Sequence, residues 1–430
     1  MIPIIDGHLD LAMNALAYDR DQTWTLQALR AREAGLPDRA ERGSCAVCLP
    51  ELRRAGVRLV VGTLFTRARA DAAPESCLRR SDADNATPSI AHAAAHGQLA
   101  YYRLLEAQGH LRIIEDRAGL DRFWGEPAPT SRDLGGGATG RPSPGDPCSY
   151  DQMHGSAQTP ARGTRIGQQD HREAETPAMG EGQPLPQPGG GRGSSEPIAC
   201  IILMECADPV TEPKQVGHWH AAGVRAVSLA HYGQSAYASG NGADGPVTVA
   251  GRELLRHMHA AGMALDLSHL CDASFRDALD LFLGPILASH SNCRALAPNL
   301  RQFTDDQVRR IGARGGVIGV VLYNGMIVPE WKTGVTARNT VSLTHVADHI
   351  DHICQLTGDA RHVGIGSDLD GGFGIEATPH ELGSSADLGK LGPILRSRGY
   401  SDADIAAVFH GNWLAFWRVA LPPAGRGSPE

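Results

Sequence analysis

The sequence predicts an α/β fold, a (β/α)8 barrel of the TIM type and the metal-dependent hydrolase kind, occupying residues 1–421 as a single domain. Three observations carry this expectation. Eight short runs are apolar and rich in β-branched residues, helix-like stretches alternate with them, and hydrophilic residues close six of the eight runs. Continuous hydrophobicity is what parallel strands buried on both faces require. Regular strand–helix alternation points to a barrel.

The elements follow in order. Pro3–His8 and Val57–Thr66 read as the first two strands, with the helical stretch Ser89–Ala107 after them. Ala199–Glu205 and Val224–His231 are the third and fourth strands, and helix Gly251–Ala261 leads to the fifth, Met263–His269. Helix Ala273–Phe282, strand Pro285–His290, helix Thr304–Ala313, strand Gly316–Tyr323, helix Leu343–Gln355 and strand His362–Asp368 complete the series. Leu111–Glu115 also has strand composition and is expected at the periphery. From Gly125 to Pro197, 26 of 73 residues are Gly or Pro and only six are large and apolar. Such a stretch cannot bury enough apolar surface to offset its chain entropy, so residues 125–197 read as a flexible insertion before the third strand. Residues 422–430 form a polar tail.

Composition removes other classes. With 42% hydrophobic and 20% charged residues the chain is no disordered polyelectrolyte. A net charge of −8 without a Lys/Arg cluster argues against nucleic-acid or anionic-membrane partners. The longest apolar run, around Val317–Leu322, falls far short of the roughly 20 residues of a membrane span. The start, Met-Ile-Pro-Ile-Ile-Asp, has no basic and apolar regions of a secretory signal. Nine cysteines without framework spacing fit reduced thiols and a cytoplasmic setting. Cys45-x-x-Cys48 has no second pair to complete a zinc site, so inert thiols are expected there. Gly189–Gly191 opens no helix after a strand and reads as linker, and His154 and His171 in the insertion read as solvated.

Active sites of such barrels lie at the C-terminal ends of the strands. Here those ends carry His8 and Asp10, Glu205, His231, His269, His290 and Asp368. On an extended strand His8 and Asp10, two apart, share a face. Imidazole joined by carboxylate is a ligand set that suits zinc, with manganese, cobalt or iron as other occupants. The His-x-Asp pair joined by a carboxylate and two more histidines makes five ligands, more than one tetrahedral catalytic zinc uses, so two metals bridged by a carboxylate fit better than one.

The motifs Asp6-Gly-His-Leu-Asp10, Leu265-Asp-Leu-Ser-His269, Ala288-Ser-His-Ser291, Arg301 followed by Asp-Asp-Gln, and Gly366-Ser-Asp-Leu-Asp-Gly371, in this order, resemble the membrane (renal) dipeptidase family of zinc metallopeptidases. The resemblance runs to about residue 420 apart from the insertion. It implies that His8, Asp10 and a bridging Glu205 bind one zinc, and Glu205, His269 and His290 a second. It further implies that His231 reaches the substrate carbonyl and stabilises the oxyanion, that Arg301 pairs with the terminal carboxylate, and that Asp368 moves the proton. The expected reaction is hydrolysis of a dipeptide by a hydroxide held between the metals. Other binuclear amidohydrolase reactions, on an N-acyl amino acid, a lactam or a lactone, are the alternative, and an inactive barrel acting as a binding protein is a more distant one. The resemblance also implies a homodimer. Two departures stand out. Cys206 follows Glu205 where relatives carry Gly, which sets a thiol next to a proposed ligand, and the turn Tyr232-Gly-Gln differs from the animal enzymes. No lipid-anchor tail is expected, so the reading is of a soluble, bacterial-type member.

Overall fold

The computed structural model describes residues 2–39, 41–69, 84–125 and 196–423. Eight parallel strands follow one another around a nearly closed barrel. They are β1 (Ile4–Leu9), β2 (Val57–Phe65), β3 (Ile198–Glu205), β4 (Val224–Ser228), β5 (Ala264–Asp266), β6 (Ile286–Leu287), β7 (Ile318–Val320) and β8 (Val363–Ile365). The longest ladder joins β2 to β3, from Leu59 opposite Ala199 to Phe65 opposite Glu205. The ring passes from β8 to β1 at Ile365 and Asp6. At the β6–β7 seam a single bridge, Ala288 to Ile318, is reinforced by backbone bonds from Gly319 to Ala288 and from Ser291 to Gly319. Glycine is required at this seam, because a Cβ on Gly319 or Gly366 would lie 2.0 or 1.9 Å from the Ser289 carbonyl oxygen. The extra strand Leu111–Ile113 pairs only with the first residues of β3, outside the ring, as expected of a peripheral strand.

The anticipated helices form, with local signals that explain their ends. Thr87, Thr248 and Thr304 accept the backbone N–H three residues on and start helices Pro88–Ala107, Val249–Ala261 and Asp305–Ala313. Left-handed Gly262 and Gly358 stop Val249–Ala261 and Leu343–Thr357. The core has two layers. One joins the outward faces of the strands to these helices. The other holds Ile5, Val61, Ile201, Leu203, Ala226, Ala264 and Leu287 from the ring and adds Trp413, Phe416 and Trp417 of helix Asn412–Ala420, which closes the floor. Trp413 occupies the space beside Gly7 and Gly364, where a Cβ would come within 2.4 Å of its ring, and donates Nε1–H to the Ile365 carbonyl at 2.8 Å.

One expectation needs correction. Strands four to eight each end three residues earlier than the sequence reading, so His231, His269, His290 and Asp368 stand on the loops just past the strands. The reason is visible at Asp266 and Asp6. The Asp266 carboxylate takes the N–H groups of Ser268 and Ser289, and that of Asp6 takes those of His8 and Ser367, replacing ladder bonds with turns. Of the insertion expected at 125–197, residues 126–195, with Gly189–Gly191, His154 and His171, lie outside the described residues, as does most of the polar tail.

Candidate metal centre

All the residues singled out at the strand ends meet at one end of the barrel, lining a cavity of about 580 Å3 or buried at its base. β1 delivers His8, and Asp10 follows it at the start of helix Leu11–Tyr18. β3 ends on Glu205, whose two carboxylate oxygens divide the cluster. Oε2 faces His8 Nε2 at 3.4 Å, while Oε1 faces His269 Nε2 at 3.1 Å and His290 Nε2 at 3.6 Å. His8 Nε2 is 3.7 Å from Asp10 Oδ1, and His269 and His290 bring their Nε2 atoms within 3.0 Å. Two three-donor groups result, His8–Asp10–Glu205 and Glu205–His269–His290, and a third combination, His8–His290–Asp368, overlaps both.

The donors fit a cation. His8 Nε2 is buried without a hydrogen-bond partner although carboxylate oxygens of Asp10, Glu205 and Asp368 stand within 4 Å of it. Burial by itself lowers the His8 pKa, but Glu205, Asp10 and Asp368 overcome this and raise it to about 10. Burial, with Glu205 nearby, pushes Asp10 up to about 7. Burial raises Asp368 far above the usual carboxylate range and drives His269 and His290 well below the usual imidazole range. Proton and metal thus compete for the same inward-facing atoms.

Neighbours missed by the sequence reading orient the rings. Ser289 Oγ is 2.9 Å from both His8 Nδ1 and His290 Nδ1 and 2.7 Å from Asp266 Oδ2. A hydroxyl has one proton and two lone pairs. Its proton goes to the carboxylate, so both imidazoles donate from Nδ1 and turn an Nε2 lone pair inward, a tautomer assigned from the network. Thr63, two residues before the end of β2, donates to Asp10, and Asn14 donates to the carbonyls of Asp10 and Asp370. The doubled Ser-His pair, Ser268-His269 and Ser289-His290, was the available signal for Ser289; nothing local marked Thr63 or Asn14.

His231 packs its ring 3.9 Å from that of His269 and points Nε2 to within 3.8 Å of Glu205. Arg301 is buried. Its Nη1 donates to the Ser268 carbonyl and Ser291, and its Nη2 to the His290 carbonyl while lying 3.2 Å from His269 Nε2. Only its Nε–H has no partner, so an end-on fork is engaged by the protein itself. Asp370 does not share the face of Asp368. Both have positive φ, 65° and 56°, so the chain is not extended between them. Asp370 turns away to accept the N–H groups of Ala46 and Val47. Cys206, at φ 73°, has a buried thiol held against Asp208 and belongs to none of the metal groups. Cys45 and Cys48 are free and buried, their thiols pushed up by burial to about 12, which fits inert thiols.

A parallel barrel with buried imidazole–carboxylate groups at the C-terminal ends of its strands defines a metal-dependent hydrolase. The sequence profile of the membrane dipeptidase family, peptidase family M19, matches residues 192–421, and the chain belongs to that family. It is 33% identical over 213 residues to an uncharacterized protein in the pqqA 5′ region of Klebsiella pneumoniae, covering 47% of this chain and 74% of that one. It is 30% identical over 211 residues to an uncharacterized dipeptidase of Schizosaccharomyces pombe, and 34% over 200 residues to dipeptidase aclJ of Aspergillus oryzae. These matches cover 48% and 46% of this chain and 49% and 45% of the two fungal proteins, about half of each. Among solved structures, dipeptidase AC, an M19 metallo peptidase, superposes with a TM-score of 0.65 at 19% identity over 98% of this chain and 99% of that one. A metallo peptidase from Rhodobacter sphaeroides, liganded with a phosphinate mimic of L-Ala-D-Ala, gives 0.64 at 19% identity, covering 97% and 99%. At such identity these two speak for the fold. Among the described residues no helix is long and apolar enough to cross a membrane.

Proposed function

We infer that this chain hydrolyses dipeptides with two zinc ions, one held by His8, Asp10 and Glu205 and the other by Glu205, His269 and His290. The observation that carries the reading is the division of Glu205, one carboxylate oxygen toward each donor group. Bound metal supplies Lewis acidity, lowering the pKa of water toward neutrality and drawing electron density from the scissile carbonyl.

The protein's own groups do the rest. Asp368, on the cavity wall 3.9 Å from His8 Nε2, accepts the proton of the attacking water on a carboxylate oxygen and passes it to the leaving amine nitrogen. His231 donates from Nε2 to the carbonyl oxygen as negative charge grows there. Arg301, which lines the same cavity, pairs with the substrate's terminal carboxylate, which restricts the site to short substrates with a free C-terminus. A homodimer in a cytoplasmic setting belongs to the same reading and rests on the family resemblance and the composition; sedimentation reads the first.

Metal analysis of purified protein, combined with a panel of L,L and L,D dipeptides and their N-acetyl forms, tests this. About two divalent ions per chain, activity lost to a chelator, and preference for the free amine are expected. Full activity with one ion or fewer would sink the binuclear reading, and preference for the N-acetyl forms would sink the dipeptidase reading.

A further inference from the structure

We propose that Arg67 is a positioning residue that holds His231 in its Nε2–H tautomer, making that imidazole a neutral hydrogen-bond donor into the cavity. Arg67 Nη1 lies 3.1 Å from His231 Nδ1. A guanidinium has donors and no acceptor, so Nδ1 must present its lone pair and the ring proton must sit on Nε2. That nitrogen is the one turned toward Glu205. The ring is clamped between Phe65, 4.5 Å away, and His269, so exchanging its two nitrogens by a flip would break the Arg67 contact and repack both neighbours. Arg67 is aimed in turn. Its Nε donates to Asp84 Oδ1 at 2.6 Å, and the two residues sit opposite one another in a short parallel pair, Arg67–Ala68 with Asp84–Asn85.

His8 and His290 have the reverse arrangement, because Ser289 takes their Nδ1 protons. Identical side chains in one cluster are therefore sorted by their neighbours, two into lone-pair ligands and one into a donor. The inference deepens the functional reading above and rests on His231 facing the reacting carbonyl.

The test is long-range 1H–15N correlation spectroscopy on the full-length chain labelled with 15N-histidine, recorded with and without zinc, with His231 assigned by its loss in His231→Gln. The wild type should show His231 protonated at Nε2 and bare at Nδ1. Arg67→Met should move those two shifts toward a mixture of tautomers and lower kcat by about 10- to 100-fold, part of what removal of such a donor costs. KM should stay within about threefold and zinc content should not change. Arg67→Lys, which keeps a donor, should restore the wild-type ring shifts and part of kcat. Asp84→Asn, which leaves Arg67 in place but loosens its aim, should give a smaller change in the same direction. A wild-type His231 protonated at Nδ1, or unchanged shifts in Arg67→Met, would overturn the proposal. A tautomer that responds while kcat does not would support it and instead overturn the placement of His231 at the carbonyl.

Discussion

The Asp368 carboxylate stands 3.9 Å from His8 Nε2, carried by a backbone with φ of 56°. A left-handed conformation at a non-glycine residue costs about 1–2 kcal/mol and recurs where function over-determines the chain. Asn tolerates that conformation as well as Asp does, so Asp368→Asn isolates the chemistry. It should retain two metals per chain while kcat falls roughly 10²- to 10⁴-fold, the usual worth of general acid–base catalysis. Because His8, His290 and Asp368 also form a possible ligand group, metal analysis of the variant decides. Loss of an ion together with activity would make Asp368 a ligand.

Ser289 offers a second test. Its hydroxyl serves one histidine from each proposed metal group. Ser289→Ala removes the acceptor that fixes both Nδ1–H tautomers and should weaken metal affinity by about 10- to 100-fold, as loss of a ligand's outer partner does. Competition with a chelating dye measures this without reference to turnover. Unchanged affinity would remove Ser289 from the centre.

Asp370 should behave unlike its neighbour. It accepts two backbone N–H groups from Ala46 and Val47 and lies 3.9 Å from the buried guanidinium of Arg20. Asp370→Asn leaves that guanidinium less well compensated, with a cost of about 2–4 kcal/mol in denaturant unfolding. A fully stable variant would contradict this.

His349 predicts an acid sensitivity away from the metals. It is fully buried, accepts from the Cys293 N–H at 3.1 Å, and donates to the Ile327 carbonyl at 2.8 Å. Burial lowers its pKa from 6.5 to about 4. The native state therefore binds fewer protons than the unfolded state between these values, and stability falls as pH drops through that window. From pH 7 to 5 the loss from this group is about 2 kcal/mol. In His349→Gln, less stable at neutrality, the difference in unfolding free energy between pH 7 and pH 5 should shrink by about that amount. An undiminished difference would assign the acid sensitivity to other groups.

The barrel was legible because its eight strands are buried on both faces and so read as unbroken apolar runs; Val57–Thr66 and Ala199–Glu205 match β2 and β3 to within one residue. The same cue overran the short strands, where Asp6 and Asp266 turn the chain by side-chain hydrogen bonds that hydropathy does not register. Of the centre, the inward donors stood out because charged residues seldom end an apolar run. Arg67 did not, because strand two ends on Thr66 with no imidazole or carboxylate, and its partner Asp84 acts through a pairing of two residues only. The separate role of Asp370 was not legible either, because a two-residue spacing implies a shared face only when the chain is extended, and here both Asp368 and Asp370 have positive φ.

Trp413 fills the hollows at Gly7 and Gly364. The first strand and the eighth are thus sealed by a side chain translated after both of them. During synthesis the ribosome releases β1, with His8 and Asp10, some four hundred residues before the floor that completes their barrel. Until helix Asn412–Ala420 emerges, the nascent chain leaves uncovered the apolar residues this helix packs on, the kind of surface that makes partly folded chains prone to aggregate. A chain stalled just short of Trp413 would hold every proposed metal donor and still have no barrel floor.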